Sequence, residues 1–316
     1  MRFQQTIGKA ISVSGVGLHS GEAAELTVHP APSGTGIVFH KVTSGVPEAC
    51  PATIQCLHPT DLCTALSFNT FQIQTVEHLL SALAGLEIDN VRLELTGNEI
   101  PALDGSSAPF VSLLLGAGIV EQTTLRTYLK IVRPITVERG NKSLSVYPAP
   151  LQKISYSIMY DHPLIKSQTY VHHASLPEFQ RNIAPARTFA FKEEVEGLWS
   201  RGFGMGGSLD NTLVFSDTAL MNETGLRFTD ECVRHKILDL IGDLALLGLP
   251  VIGHFVADRA GHQLHAELVT AINANPDSWI LINTDGEGNM TSVAKDADRN
   301  TQASTADQQH PVYSSF

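Results

Sequence analysis

His235 and Asp239 stand four residues apart in VRHKILDLIGD (233–243), and Asp243 stands four further on. On a helix this spacing stacks the three side chains along one face. An imidazole and a carboxylate that converge in this way form a workable two-ligand unit for a metal. Glu77 and His78 are adjacent in TVEHLLSALAG (75–85). His78 can supply a third ligand, leaving a fourth position open, as hydrolytic zinc requires. Glu77 can then take a proton from a water whose pKa the metal lowers. GHQLH (261–265) places His262 at the start of another helix, where a protonated ring could serve a leaving group. Asp243 is a suitable carboxylate to hold that ring and raise its pKa. The competing interpretation makes Glu77 and His78 an exposed first turn, His235–Asp239 a solvated ion pair and His262 a surface residue. The HExxH motif of zincins is absent.

The elements that carry these residues are apolar. In 75–85, Val76, Leu79, Leu80 and Leu83 form an i, i+3, i+4, i+7 stripe, with Thr75 as the expected N-cap. In 229–248, Ile237, Leu238, Leu240, Ile241, Leu244, Leu246 and Leu247 cover nearly the whole circumference, and Gly248 and Pro250 end the helix. Such a helix is expected to be buried, and its polar residues then need partners. Two stretches share one plan. Residues 75–118 read helix, turn, strand, loop, helix, and 229–273 read the same, each after strand-like alternating segments. The fold class is therefore α+β: two similar domains, 1–122 and 123–284, each a sheet with a pair of helices on one face. Residues 285–316 are polar and aperiodic and read as a flexible tail.

Composition narrows the function further. The chain has 316 residues, 43% hydrophobic and 17% charged, enough for a large core. Its net charge of −11 and the lack of any Lys/Arg run argue against nucleic acid as a partner, while leaving room for an anionic small molecule. The longest apolar run, 111–120, is too short to span a bilayer, and the first residues lack a secretory signal. A cytoplasmic protein is expected. Cys50, Cys56, Cys63 and Cys232 show no CxxC spacing and read as free thiols. SGVGLHSGE (14–22) is not a dinucleotide fingerprint: Ser20 stands where the third glycine belongs, and strand-like sequence follows.

TVEHLLSALAGL, LDGSSAPFV, APARTFAF, GGSLDN, RHKILDLIGD and GHQL occur in this order, and the chain resembles the UDP-3-O-acyl-N-acetylglucosamine deacetylases, zinc enzymes of lipid A synthesis. The resemblance covers residues 1–284. It implies two β-α-α-β domains with the helices sandwiched between the sheets, and a soluble monomer acting on a UDP-sugar that carries a fatty acyl chain. It implies zinc on His78, His235 and Asp239, Glu77 as general base, His262 as general acid and Asp243 as its orienting carboxylate. It also implies Thr188 as an oxyanion donor and Lys236 near the substrate. His58, Lys142 and Arg259 match groups near the nucleotide or its diphosphate, although surface charge explains Lys142 and Arg259 equally well. Phe189–Thr212 resembles the family's acyl passage, with Phe189, Phe191, Val195, Leu198, Trp199 and Phe203 among its apolar residues. Leu18, Leu62 and Cys63 match positions near the site; a buried small hydrophobe is the commoner role for a free cysteine. The family usually has Asn after GHxL, where this chain has His265. Two other classes stay open: a zinc amidohydrolase for another acylated sugar, and a non-catalytic sugar-nucleotide or lipid binder.

Overall fold

The computed structural model describes residues 2–43, 46–58, 60, 62–69, 71–284 and 290–293. The fold is α+β, as the two repeated stretches predict. In the first half the central strand Val91–Leu95 runs antiparallel to Ala23–Pro30 and parallel to Ile37–Thr43. Ile11–Val16 and Val46–Pro51 complete a five-stranded sheet. The second half repeats this plan around His254–Asp258, which is antiparallel to Lys142–Tyr147 and parallel to Lys153–Met159. Ile135–Arg139 and Ser167–His173 are its outer strands. Burial alternates along these strands, as in Val91–Leu95, so one face of each sheet is free to meet helices.

The helices are α1 (Glu77–Gly85), α2 (Ala108–Ala117), α3 (Leu176–Glu178), α4 (Lys192–Ser200), α5 (Glu231–Leu244) and α6 (His262–Ala274). Every residue of α5 except Arg234 and Lys236 is buried, as its all-round apolar pattern requires. Helix α1 packs across α5, and one continuous apolar core runs through both halves. Phe3–Ile7 pairs antiparallel with Ile119–Leu125, the strand at the junction of the two halves.

Gly242 of α5 lies directly against the Glu77 backbone at the start of α1. A Cβ at this position would run into the carbonyl oxygen of Glu77. Backbone cannot give way as a flexible side chain can, so Gly242→Ala must push the helices apart. The expected cost is about 1–3 kcal/mol of stability, with a misplaced Glu77 and reduced turnover. Urea unfolding and a turnover assay on the variant check this; wild-type values in both would show that the crossing tolerates a methyl group.

Three local expectations need correction. Thr75 does not cap α1: its φ is +58°, its hydroxyl donates to Glu99 Oε1 at 2.7 Å, and Val76 occupies the cap position. The single strand expected within 229–273 is broken at Gly253. Val251–Ile252 joins Thr127–Ile131 in a second sheet, while His254–Asp258 stays in the main one. Within the expected tail, Met290–Val293 forms a strand antiparallel to Trp279–Thr284, because its backbone finds a free edge to pair with. The rest of 285–316 lies outside the described residues.

Candidate active site

Helix α1 begins with Glu77 and His78, and α5 presents His235, Asp239 and Asp243 along the face that meets it. All five side chains are buried. That burial is incompatible with an exposed first turn or a solvated ion pair.

His235 Nε2 lies 3.3 Å and His78 Nε2 3.7 Å from Asp239 Oδ1. The His235 ring is turned by its other nitrogen, Nδ1, which lies 3.0 Å from the Ala186 carbonyl oxygen. A proton on Nδ1 donates to that oxygen and leaves Nε2 with its lone pair toward Asp239. Burial lowers the pKa of both rings, His78 to about 3, so both are neutral. Asp239 resists the same burial because the charged Lys236 ammonium beside it helps hold its carboxyl well below the usual range. Its Oδ2 accepts from Lys236 Nζ at 2.9 Å, but its Oδ1 is buried without a hydrogen-bond partner among the described residues. An anionic oxygen facing two neutral imidazole nitrogens is a cost that a cation removes. Ligand atoms of His78, His235 and Asp239 all lie within 4.8 Å of one another, so the residues fit a metal ion.

The acid–base groups stand beside this cluster. Glu77 Oε2 accepts the Thr64 N–H at 3.0 Å, and Oε1 lies 3.9 Å from His262 Nε2. Burial, with Asp243 and Asp239 nearby, pushes the Glu77 carboxyl up to about 8. His262 Nε2 is also 3.8 Å from Asp239 Oδ2, and its Nδ1 is 3.3 Å from Asp243 Oδ2. Burial opposes the charged ring, but Asp239, Asp243 and Glu77 outweigh it and raise His262 to about 9. Asp243 is kept ionised, at about 2 despite its burial, by hydrogen bonds from His262 and His265.

Thr188 hydrogen-bonds through its backbone N–H to the Gly105 carbonyl at 2.9 Å, beside the loop that follows Val91–Leu95. Its hydroxyl makes no hydrogen bond among the described residues. Lys236 Nζ lies 5.9 Å from the Phe189 ring centroid. Phe189 and Phe191 form an aromatic cluster with Tyr160 and Phe215. The segment after them folds back on the glycine loop: Met205 N–H donates to His19 O and Gly206 N–H to Leu18 O, both at 3.1 Å. Trp199, Met205 and Leu209 are exposed, which is costly for side chains of this size and gives the segment an open apolar surface. Cys63 is buried beside Glu77, and burial pushes its thiol up to about 12, so it is an inert thiol. Leu62 is half-buried at the neighbouring position. His58 is exposed and pairs across a short antiparallel ladder with Ala65, the residue after Thr64. Lys142 and Arg259 come one residue beyond the Ser143–Asp258 pair, at one end of the second sheet. Arg259 is already paired with Asp258 at 2.7 Å.

The model of the UDP-3-O-acyl N-acetylglycosamine deacetylase family matches residues 4–274. The chain belongs to this family. Similar proteins named UDP-3-O-acyl-N-acetylglucosamine deacetylase include one from Oleidesulfovibrio alaskensis, 45% identical over 88% of this chain and 91% of its own length. One from Myxococcus xanthus is 43% identical over 88% and 89%, and one from Xylella fastidiosa 43% over 88% and 92%. Among the described residues of this deacetylase-family chain, no helix is long and apolar enough to cross a membrane.

Two groups at the site escaped sequence reasoning. Thr64 touches both Glu77 and Asp243, donating its hydroxyl to Asp243 Oδ1. His19 is buried, with Phe203 5.5 Å away and its Nδ1 without a hydrogen-bond partner among the described residues. A lone Thr carries no periodic signal, and His19 lay in a loop read for its glycines and Leu18.

Proposed function

We propose that this chain hydrolyses the acetamide of UDP-3-O-acyl-N-acetylglucosamine, releasing acetate and the free 2-amine in the committed step of lipid A synthesis. The observation that carries this reading is the buried Glu77–His262 pair beside His78, His235 and Asp239, in a chain of this family. Zinc is the proposed ion, on the two imidazole Nε2 atoms and Asp239 Oδ1; a set of two histidines and a carboxylate suits it. When bound, zinc polarises the scissile carbonyl and acidifies water.

The chain's own residues supply the proton transfers. Glu77 Oε2 is tied to the Thr64 N–H, so Oε1 is the atom that takes a proton from the attacking water. His262 faces Asp243 through Nδ1, so its Nε2 gives a proton to the leaving nitrogen. The unengaged Thr188 hydroxyl donates to the developing oxyanion. Lys236 adds positive charge on the same side as Asp239. Lys142, Arg259 and His58 are assigned to the nucleotide diphosphate. Leu18, Leu62, Cys63, Phe189 and Phe191 are assigned to the acyl-bearing sugar. The domains are read as 1–122 and 123–284, followed by a tail. A monomer acting in the cytoplasm, where a nucleotide sugar is met, completes this reading.

The test is acetate release from UDP-3-O-acyl-N-acetylglucosamine by one preparation before chelation, after chelation and after one equivalent of zinc is restored. Activity is expected to vanish and return. A folded, zinc-loaded protein that releases no acetate would move the reading to another acylated amino sugar.

A further inference from the structure

His265 lies one turn after His262 on α6 and is fully buried. Its Nδ1 is 2.8 Å from Asp243 Oδ2, closer than His262 Nδ1 at 3.3 Å. Its Nε2 is 3.0 Å from the hydroxyl of Tyr156, a buried residue of the strand Lys153–Met159. Burial keeps the His265 ring neutral, so it carries one ring proton. An ionised carboxylate can only accept, so that proton is on Nδ1, and Nε2 accepts from the Tyr156 hydroxyl. Thr64 closes the far side by donating to Asp243 Oδ1. A hydrogen-bonded chain thus runs from the second sheet through Tyr156, His265 and Asp243 to His262, with both ring nitrogens of His265 and both oxygens of Asp243 engaged.

We infer that His265, oriented by Tyr156, is a positioning residue that holds Asp243 and, through it, the general acid His262. This rests on the function proposed above. A carboxylate shared by two imidazoles, with a hydroxyl on its other oxygen, cannot pivot away from either. The His262 ring is then held with Nδ1 inward and Nε2 toward Glu77, the orientation that proton delivery needs. Asp243, His262 and His265 also offer ligand-type atoms within 4.8 Å of one another. A second metal is not required to explain them. Each of those atoms already has a hydrogen-bond partner, whereas Asp239 Oδ1 in the first cluster has none among the described residues.

The geometry of the ring gives a discriminating pair of variants. An Asn amide nitrogen reproduces the position of His Nδ1, and a Gln amide reproduces that of Nε2. H265N therefore keeps the donor to Asp243, and H265Q keeps only the link to Tyr156. In zinc-loaded enzyme, H265Q is expected to lose about 10–100-fold in kcat with KM unmoved, and H265N to stay within about threefold of wild type. Zinc content and thermal midpoint are recorded for each, and ¹⁵N-histidine spectra follow the His262 Nδ1 proton. That proton signal is expected to persist in H265N and to shift or disappear in H265Q. Tyr156→Phe keeps the volume and removes one hydroxyl; the His265 proton is expected to stay on Nδ1, because Asp243 can only accept, while the Nε2 resonance shifts on losing its donor. Equal kcat and equal His262 signals in the Asn and Gln variants, or an unchanged His265 Nε2 resonance in Tyr156→Phe, would overturn the positioning role. Wild-type enzyme that releases no acetate counts against the proposed reaction instead, because the ring signals report the orientation without turnover.

Discussion

Glu77→Gln is expected to lower acetate release by about 10³-fold while the protein keeps its fold and its bound metal. The amide fills the same buried volume, and its oxygen still accepts the Thr64 N–H that holds the carboxylate now. What disappears is the single atom able to take a proton, Oε1. Glu77 is active only when ionised and His262 only when protonated, so the wild-type rate falls on both sides of an optimum. In Glu77→Gln the acid-side fall is lost from the residual rate, because no carboxyl remains there to be protonated. The metal content serves as control, since Glu77 is not among the three converging ligands. Turnover near wild type, or a residual rate that still falls with acid in the same way, would show that another group is the base.

Asp239→Ala is expected to abolish stoichiometric metal binding and, separately, to weaken the metal-free protein. The first effect follows from removing the only anionic member of the His78–His235–Asp239 group; two neutral imidazoles do not retain a divalent ion at comparable affinity. The second follows from Lys236. Its ammonium is largely buried, and Asp239 Oδ2 at 2.9 Å raises its pKa against the cost of burial. Removing one partner of such a pair costs about 3 kcal/mol, because the other is left uncompensated. Asp239→Asn separates the two effects: it keeps an acceptor for Lys236 and so retains more stability, yet still loses metal. Metal analysis after dialysis and urea unfolding of the apo forms are the measurements. Unchanged metal content in Asp239→Ala would remove it from the ligand group.

Much of this site was legible in the sequence because helical periodicity reports burial. A helix apolar around its whole circumference has no solvent face, so His235, Asp239 and Asp243 had to be buried polar groups in need of partners. The i, i+4 spacing also fixed which of them share a face. The duplicated order of elements foretold the matching topologies around Val91–Leu95 and His254–Asp258. Periodicity within an element does not report which residues of other elements are brought against it. Thr64 meets Asp243 across 179 positions, and Tyr156 meets His265 across 109. Those contacts arise only when α1, α5, α6 and the second sheet pack together, and that packing depends on Gly242 leaving room for the Glu77 backbone. The same reason explains the local misreadings. Thr75 has the chemistry of a cap, but buried Glu99 offered its hydroxyl a stronger acceptor, a carboxylate. Residue types and spacing determined the chemistry this chain can perform; the tertiary structure decided which groups hold that chemistry in place, because orientation is set by contacts distant in the chain.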